Sequence, residues 1–182
     1  MEIFKTIKYG KKLLTGDGVP INKKEASRYL KEASNNNHVD AMYKYGYMLL
    51  IGDGIKQNKV KAKEYLQKAA DKGQSSAMYN YAVMLINGDG IEADKEKSVI
   101  YFKKAIELGH KEATYSYGTL LYNGNGVEQD KKQAARYFRI AADKGHAKSA
   151  FKYATMLYNG DGILEDKPAS SYYYKIGADH GD

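Results

Sequence analysis

The tripeptide Gly-Asp-Gly, found for example at positions 52–54, combines residue types that could do chemistry. Glycine-rich loops bind phosphate through backbone N–H groups, and aspartate ligates metal ions. A phosphate loop, however, follows a strand and continues into Lys-Ser/Thr, whereas a calcium loop carries several carboxylates at alternate positions and a final Glu. The tripeptide has neither context, and Asn125 replaces its aspartate in another copy. The pattern therefore favours a turn between helices.

The four histidines could bind a metal ion or act in catalysis. His38, His110 and His146 share one column at multiples of 36 residues, and His180 lies two places off it. Neighbours in such a column are expected on the order of 10 Å apart, which is too far for shared coordination at about 2 Å. The chain has no cysteine, which excludes a disulfide framework, a cysteine-based zinc site and a thiol nucleophile. We expect no metal, no cofactor and no catalytic residue.

The glycine pair of the tripeptide recurs every 36 residues without insertion. Its copies are Gly16/Gly18, Gly52/Gly54, Gly88/Gly90, Gly124/Gly126 and Gly160/Gly162. Further columns with the same step begin at Tyr9, Leu13, Lys23 and Tyr29. Five copies at a fixed period predict a repeat solenoid. We expect one solenoid domain over residues 1–182, with repeats at about 3–38, 39–74, 75–110, 111–146 and 147–182.

Each repeat has the pattern of two helices joined by a turn. Apolar and small residues at three- and four-residue steps predict a first helix over 39–51, ending at Gly52 in a left-handed conformation. Asn58 precedes the second helix, where its side chain can accept from free N–H groups, and Gly73 ends that helix. Gly46 predicts close approach of the two helices. The tyrosine and leucine columns are expected to fill the space between repeats.

The segment KEATYSYGTLLYNGNGVEQDKKQAARYFRIAADKGH (111–146) follows a pattern repeated along the chain. That pattern is Ala-x-x-x-Tyr-Gly-x-x-Leu-x-x-Gly-x-Gly-Ile, followed by Asn/Asp-Lys-x-x-Ala-x-x-Tyr-Leu/Phe-x-x-Ala-Ala-x-x-Gly. From about residue 3 to 181 the chain resembles the Sel-one-like repeat (SLR) family. The resemblance implies an all-α, right-handed α/α superhelix of five 36-residue helix-turn-helix repeats that acts as a scaffold or adaptor in protein complexes. Some bacterial members of this family are secreted, disulfide-linked and connected with penicillin binding.

Composition is that of a globular protein, with 43% hydrophobic and 28% charged residues. The net charge of +7 belongs to residues 1–72, which hold fifteen Lys or Arg against eight Asp or Glu. That excess could steer an acidic partner, or it could simply coat a solvated surface with lysine. No apolar stretch approaches the roughly 20 residues needed to span a bilayer, and the N-terminus has no apolar signal region. We expect a cytoplasmic protein that does not insert into membranes.

Positions that vary between repeats while sharing one face of the first helix are candidates for recognition. Because first helices line the concave side of helix-pair solenoids, these residues are expected to form a shallow groove. The candidates are Lys44, Tyr47, Ile51, Asn80, Val83, Asn87, Ser116, Thr119, Asn123, Lys152, Thr155 and Asn159. Amide and hydroxyl groups, lysines and a tyrosine suit a peptide or protein segment, with an acidic one favoured. The alternative is a merely solvated face.

Other functions remain as alternatives. The family resemblance allows an enzyme of the penicillin-binding or β-lactamase type, although no serine or threonine stands in a recognisable nucleophile motif. A basic surface with eighteen tyrosines allows nucleic-acid binding, although most tyrosines lie in packing columns. Tyr172 and Tyr174 add aromatic residues at the C-terminal end, which carries no polar capping helix. That end either continues into a longer array or docks onto another molecule, such as a second copy.

Overall fold

The computed structural model describes residues 2–181, with side chains from Thr6 onward. These residues form ten α-helices and no strand, which confirms the all-α helical-repeat solenoid. The helices are α1 (Glu2–Thr15), α2 (Lys23–Asn35), α3 (Val39–Ile51), α4 (Lys59–Asp71), α5 (Ser75–Asn87), α6 (Lys95–Glu107), α7 (Lys111–Asn123), α8 (Lys131–Asp143), α9 (Ala147–Asn159) and α10 (Lys167–Asp179). Odd-numbered helices are the first helices of their repeats, and even-numbered helices are the second.

The chain divides into two compact units, described here separately. Unit 1 (Met1–Asp94) contains α1 to α5, each packed on the next, and α3 also contacts α5. Unit 2 (Lys95–Asp182) contains α6 to α10 in the same sequential arrangement, and α8 also contacts α10. Side chains such as Leu66 and Met84 fill the core of unit 1, and Phe138 and Met156 fill that of unit 2. Burial of such apolar side chains is the main stabilising contribution.

Local sequence signals set the helix ends. The first helices α3, α5, α7 and α9 end at left-handed glycines, as at Gly52, whose φ is 78° and whose N–H donates to the carbonyl of Met48. Four second helices begin at a capping side chain that accepts the backbone N–H three residues later. These caps are Asn22, Asn58, Asp130 and Asp166. Asn37 adopts a φ of 63° where later repeats have glycine, as the sequence predicted.

Small residues and tyrosines bring the two helices of a repeat together. A Cβ atom added to Gly46 would lie 3.1 Å from Cβ of Tyr65 and from Cγ of Leu66, which confirms the predicted close approach. Tyr45 packs edge-on against Tyr65 with ring centroids 4.9 Å apart. The equivalent pairs are Tyr9–Tyr29, Tyr117–Tyr137 and Tyr153–Tyr173, at 5.3, 5.0 and 4.7 Å. These pairs join the two helices of one repeat, whereas the Tyr173 hydroxyl also donates to Oδ1 of Asp143 in the preceding repeat at 3.1 Å.

The Gly-Asp-Gly turn also joins successive repeats. Its aspartate accepts from the lysine that begins the second helix of the preceding repeat. Nζ of Lys23 lies 2.7 Å from Oδ1 of Asp53, and Lys59–Asp89 and Lys131–Asp161 repeat this pair. A Cβ atom on Gly54 would collide with the Cβ of Lys23. Interpretation of the tripeptide as a turn alone was incomplete, because both its aspartate and its second glycine contact the neighbouring repeat.

Candidate partner-binding face of the first helices

The predicted recognition residues lie on one side of each first helix, on α3 and α5 in unit 1 and on α7 and α9 in unit 2; the positions in each unit are called its first-helix face. All twelve are half-buried or exposed, whereas neighbours on the same helices, such as Tyr45 and Leu49, are buried. This alternation follows from the helical period, which turns residues three and four apart toward the same side. Whether a partner occupies either face stays a prediction.

The first-helix face of unit 1 is the more apolar one. Tyr47 is 39% exposed and Ile51 is 50% exposed, and Val83 is half-buried. Lys44 is half-buried beside them on α3, and no carboxylate among the described side chains forms a salt bridge with it. Asn87 is exposed at the end of α5. A partner segment could therefore bury apolar groups here and offer a carboxylate to Lys44.

Tyr43 connects α3 with α5 beneath this surface. Burial raises the pKa of its phenol, while hydrogen bonds from Ser76 and Asn80 act in the opposite direction. Asn80 also donates from Nδ2 to the backbone carbonyl of Ser76 at 2.9 Å. Its amide is therefore engaged by the protein itself and is less available to a ligand than the sequence suggested.

The first-helix face of unit 2 is the more polar one, and several of its groups already have partners. The hydroxyl of Thr119 donates to the carbonyl of Tyr115 at 3.0 Å, and that of Thr155 donates to the carbonyl of Phe151 at 2.9 Å. Nζ of Lys152 lies 3.8 Å from the ring centroid of Tyr122. The remaining predicted residues of unit 2 are Ser116, which is half-buried, and Asn123 and Asn159, which are exposed at helix ends. Fewer free polar groups remain here than residue types alone indicate.

Between α7 and α9, four side chains form a cluster, here called the joint quartet: Tyr122, Lys131, Lys152 and Asp161. The Tyr122 hydroxyl donates to Oδ2 of Asp161 at 2.5 Å, and Nζ of Lys131 lies 2.7 Å from Oδ1 of the same carboxylate. The Lys131 bond, followed by the Tyr122 bond, lowers the pKa of the Asp161 carboxyl. Lys152 completes the quartet over the Tyr122 ring. The constant 30-residue separation of the lysine and aspartate columns is the sequence signal that could have revealed this contact.

The histidine column caps first helices, a role the sequence interpretation missed. Nδ1 of His38, His110 and His146 accepts the backbone N–H three residues later, at 3.3, 3.2 and 3.2 Å. Gln74 occupies the same column at the end of the second repeat and caps α5 through Oε1. Burial lowers the pKa values of the His110 and His146 imidazoles. An unprotonated ring nitrogen is the form that can accept this bond.

Two further observations concern the chemistry of the described residues. Side chains from Thr6 to Gly181 include no group of three or more His, Asp or Glu residues arranged to hold a metal ion. Over residues 2–181, none of the helices combines the length and apolar character required to cross a bilayer.

Known structures share this architecture. A Sel1 repeat protein from Oxalobacter formigenes matches with a TM-score of 0.92 at 25% identity, covering 98% of this chain and 71% of that one. The SLR-fold protective antigen c5321 of uropathogenic Escherichia coli gives the same TM-score and identity, covering 99% of this chain but only 38% of its own. Immunity protein Pa5087 from Pseudomonas aeruginosa shares the fold, with a TM-score of 0.63 at 18% identity over 99% and 66% of the two chains. Among curated proteins, none matches this chain by sequence.

The sequence profile of the Sel1 repeat matches five consecutive segments of the chain. These segments are residues 7–38, 39–74, 75–110, 111–146 and 147–182. Because the profile covers nearly the whole sequence, the chain belongs to the Sel1 repeat family, whose members are helical-repeat scaffolds that generally mediate protein interactions.

Proposed function

We propose that this protein is a non-catalytic scaffold that binds an acidic protein segment on the first-helix face of unit 1. The observation that supports this most directly is the pair of exposed apolar side chains, Tyr47 and Ile51, beside Lys44. Aromatic and aliphatic anchors next to a charged group are typical of protein-binding surfaces. The absence of cysteine favours a reducing compartment, and we place the function in the cytoplasm.

Apolar contact would supply most of the affinity. Covering the half-exposed Ile51 is worth about 1 kcal/mol, since complete burial of such a side chain contributes roughly 1.5–3 kcal/mol. Tyr47 would add an aromatic contact with a hydroxyl that can hydrogen-bond to a partner backbone. Because both groups belong to preformed helices, binding would order few protein side chains.

Charge would select the partner. Lys44 offers its ammonium group to a carboxylate, and the basic excess of residues 1–72 would raise the rate of encounter with an acidic segment. In this proposal the apolar residues Tyr47 and Ile51 provide affinity, and Lys44 provides selectivity for an acidic partner.

The test is selection from a random-peptide phage library, followed by fluorescence anisotropy with the selected peptides. We expect acidic peptides with an apolar residue, and we expect Ile51→Asp to weaken their binding about tenfold. Ile100→Asp is the matched control, because Ile100 is 52% exposed but lies on the second helix α6. Lys44→Glu should reverse the preference for acidic peptides.

Three results would contradict the proposal. Equal loss of binding in the Ile51 and Ile100 variants would show that neither position is specific. Selected peptides that bind both variants like the wild-type chain would place recognition elsewhere. Binding of polyanions that falls steeply with salt and ignores Ile51 would instead indicate a nucleic-acid surface.

A further inference from the structure

The outward face of the last helix pair exposes positions that are buried in earlier repeats. Tyr174 is 38% exposed, whereas Leu66 and Phe138 in the same column are both 0% exposed. Tyr158 is also exposed, whereas Tyr122 in its column is half-buried and contacts Lys152 of α9 and Asp161 of the turn that follows α9. These two residues, Lys152 and Asp161, belong to the next repeat. The exposed face of the last helix pair therefore resembles the side of the preceding repeat that contacts the last one.

The residues of the joint quartet recur, split between the two ends of the sequence. Tyr158 and Lys167, on the last repeat, stand one period after Tyr122 and Lys131. Lys8 and Asp17, on the first repeat, stand four periods before Lys152 and Asp161. The other joints lack this set, because the tyrosine column holds Leu14, Leu50 and Ile86 there. The C-terminal end thus carries one half of the quartet and the N-terminal end carries the complementary half.

The local contacts of Lys167, at the C-terminal end, and of Asp17, at the N-terminal end, leave both side chains accessible to a second molecule. Lys167 bonds to Glu165 of its own loop at 3.2 Å, and Asp17 lies 3.9 Å from Lys12 of its own repeat. Both are surface side chains in weak local pairs that can exchange partners. At Gly18, whose φ is 72°, an added Cβ would meet only Nζ of Lys12 at 3.7 Å. The equivalent Gly162 lies against Lys131, so Gly18 leaves room for an incoming lysine.

We propose that this protein associates head to tail, with the C-terminal end of one copy docked on the N-terminal end of a second copy. In this contact, Asp17 accepts from Lys167 and from the Tyr158 hydroxyl, and Lys8 covers the Tyr158 ring. The geometry is that of Tyr122, Lys131, Lys152 and Asp161 within unit 2. A head-to-tail contact is heterologous, so it produces a ring if the rotation closes and a filament otherwise.

Sedimentation velocity over a concentration series tests this proposal. We expect the mass of the wild-type chain to rise with concentration and to fall back as salt is added. Asp17→Lys and Lys167→Asp should each weaken association at least about tenfold, because each places like charges together. Lys132→Asp is the matched control, since Lys132 is exposed on α8 outside the quartet, and it should associate like the wild-type chain.

Mixing the two charge variants separates this geometry from other modes of self-association. The Lys167→Asp chain keeps a normal N-terminal end and the Asp17→Lys chain keeps a normal C-terminal end, so the two variants should associate with each other although neither associates well alone. A chain carrying both changes should regain association, because the pair is then reversed. Circular dichroism must show equal helicity for all variants.

Contrary outcomes are equally definite. A wild-type chain that stays monomeric at the highest concentration would overturn the proposal. Association weakened by Lys167→Asp but unaffected by Asp17→Lys would show a tail-to-tail contact instead. Association of both variants at wild-type strength would show that the quartet residues take no part. Peptide binding at Tyr47 is measured separately and bears on none of these outcomes.

Discussion

Lowering the pH should destabilise this protein through two of its histidine caps. In His110 and His146, Nδ1 accepts a backbone N–H at 3.2 Å, and burial lowers the pKa of each imidazole. Protonation converts the acceptor into a donor and leaves the N–H without a partner. It also places a positive charge at a helix N-terminus, where the helix dipole is unfavourable to cations. The folded state therefore binds these protons more weakly than the unfolded state does.

The sign and size of the effect follow from linkage. Because both folded pKa values lie below the unfolded value of about 6.5, the stabilisation is complete above that pH. This stabilisation is lost as the pH falls below about 6.5 and through the pKa values of the two histidines in the folded state. A cap is worth about 1 kcal/mol, so the two together contribute about 2 kcal/mol. For a chain of this length that is a decrease in Tm of about 4–8 °C.

Neighbouring charges modify this expectation without reversing it. Oε2 of Glu112 lies 3.4 Å from Nδ1 of His110, and its charge raises that pKa, but burial has the larger effect. Around His146, Glu112 raises the pKa, while Lys111 and Lys148 lower it. Burial is again the largest cause.

The assay is thermal denaturation followed by circular dichroism from about pH 7.5 to about pH 5. The control is the variant His110→Gln/His146→Gln, because Gln74 caps α5 in the same column and does not titrate in this range. We expect the variant to match the wild-type Tm near pH 7.5 and to lose less of it at low pH. An unchanged dependence on pH in the variant would refute the assignment of this effect to the histidine caps.

Two further predictions concern the joints between repeats. Gly54→Ala should cost at least about 1 kcal/mol more than Gly73→Ala, measured by urea unfolding. Both glycines have positive φ, but only at Gly54 does an added Cβ collide with another residue, Lys23; equal costs would contradict this role. Asn125→Asp should stabilise unit 2 by up to about 0.5 kcal/mol, because it restores the pair with Lys95 seen at other joints. An unchanged midpoint of urea unfolding would show that this pair does not form.

The helical framework could be predicted because the chain supplies five versions of each position. The predicted helix at 39–51 coincides with α3, and the predicted left-handed Gly52 has a φ of 78°. Both rest on local chemistry: helical periodicity and the absence of a Cβ atom. These signals do not depend on which residues of the neighbouring repeat lie in contact.

Contacts between columns could not be obtained in the same way. The recurrence of lysine in all five repeats and of aspartate in four of five indicates that each position matters, but it does not show that Lys131 contacts Asp161. Thr119 and Thr155 were predicted as free polar groups, yet their rotamers return the hydroxyls to their own helices. Residue type fixes hydrogen-bonding capacity, whereas the partner depends on rotamer and neighbouring backbone. The exposure of these positions could therefore be predicted from the helical period, whereas their hydrogen-bond partners could not.

Apolar burial and the lysine–aspartate pairs contribute differently to the contact between successive repeats. Leu66 is fully buried and contributes roughly 1.5–3 kcal/mol, whereas the partly exposed Lys59–Asp89 pair contributes about 0.2–1 kcal/mol. Apolar contacts tolerate small displacements, but an ion pair between fixed helix ends is lost when one repeat shifts against the next. The pairs therefore define register more than stability. Asp89→Ala should lower the urea midpoint only slightly while accelerating amide exchange in the 88–90 turn. A decrease of several kcal/mol in the free energy of unfolding would show instead that the Lys59–Asp89 pair is a main source of stability between the repeats.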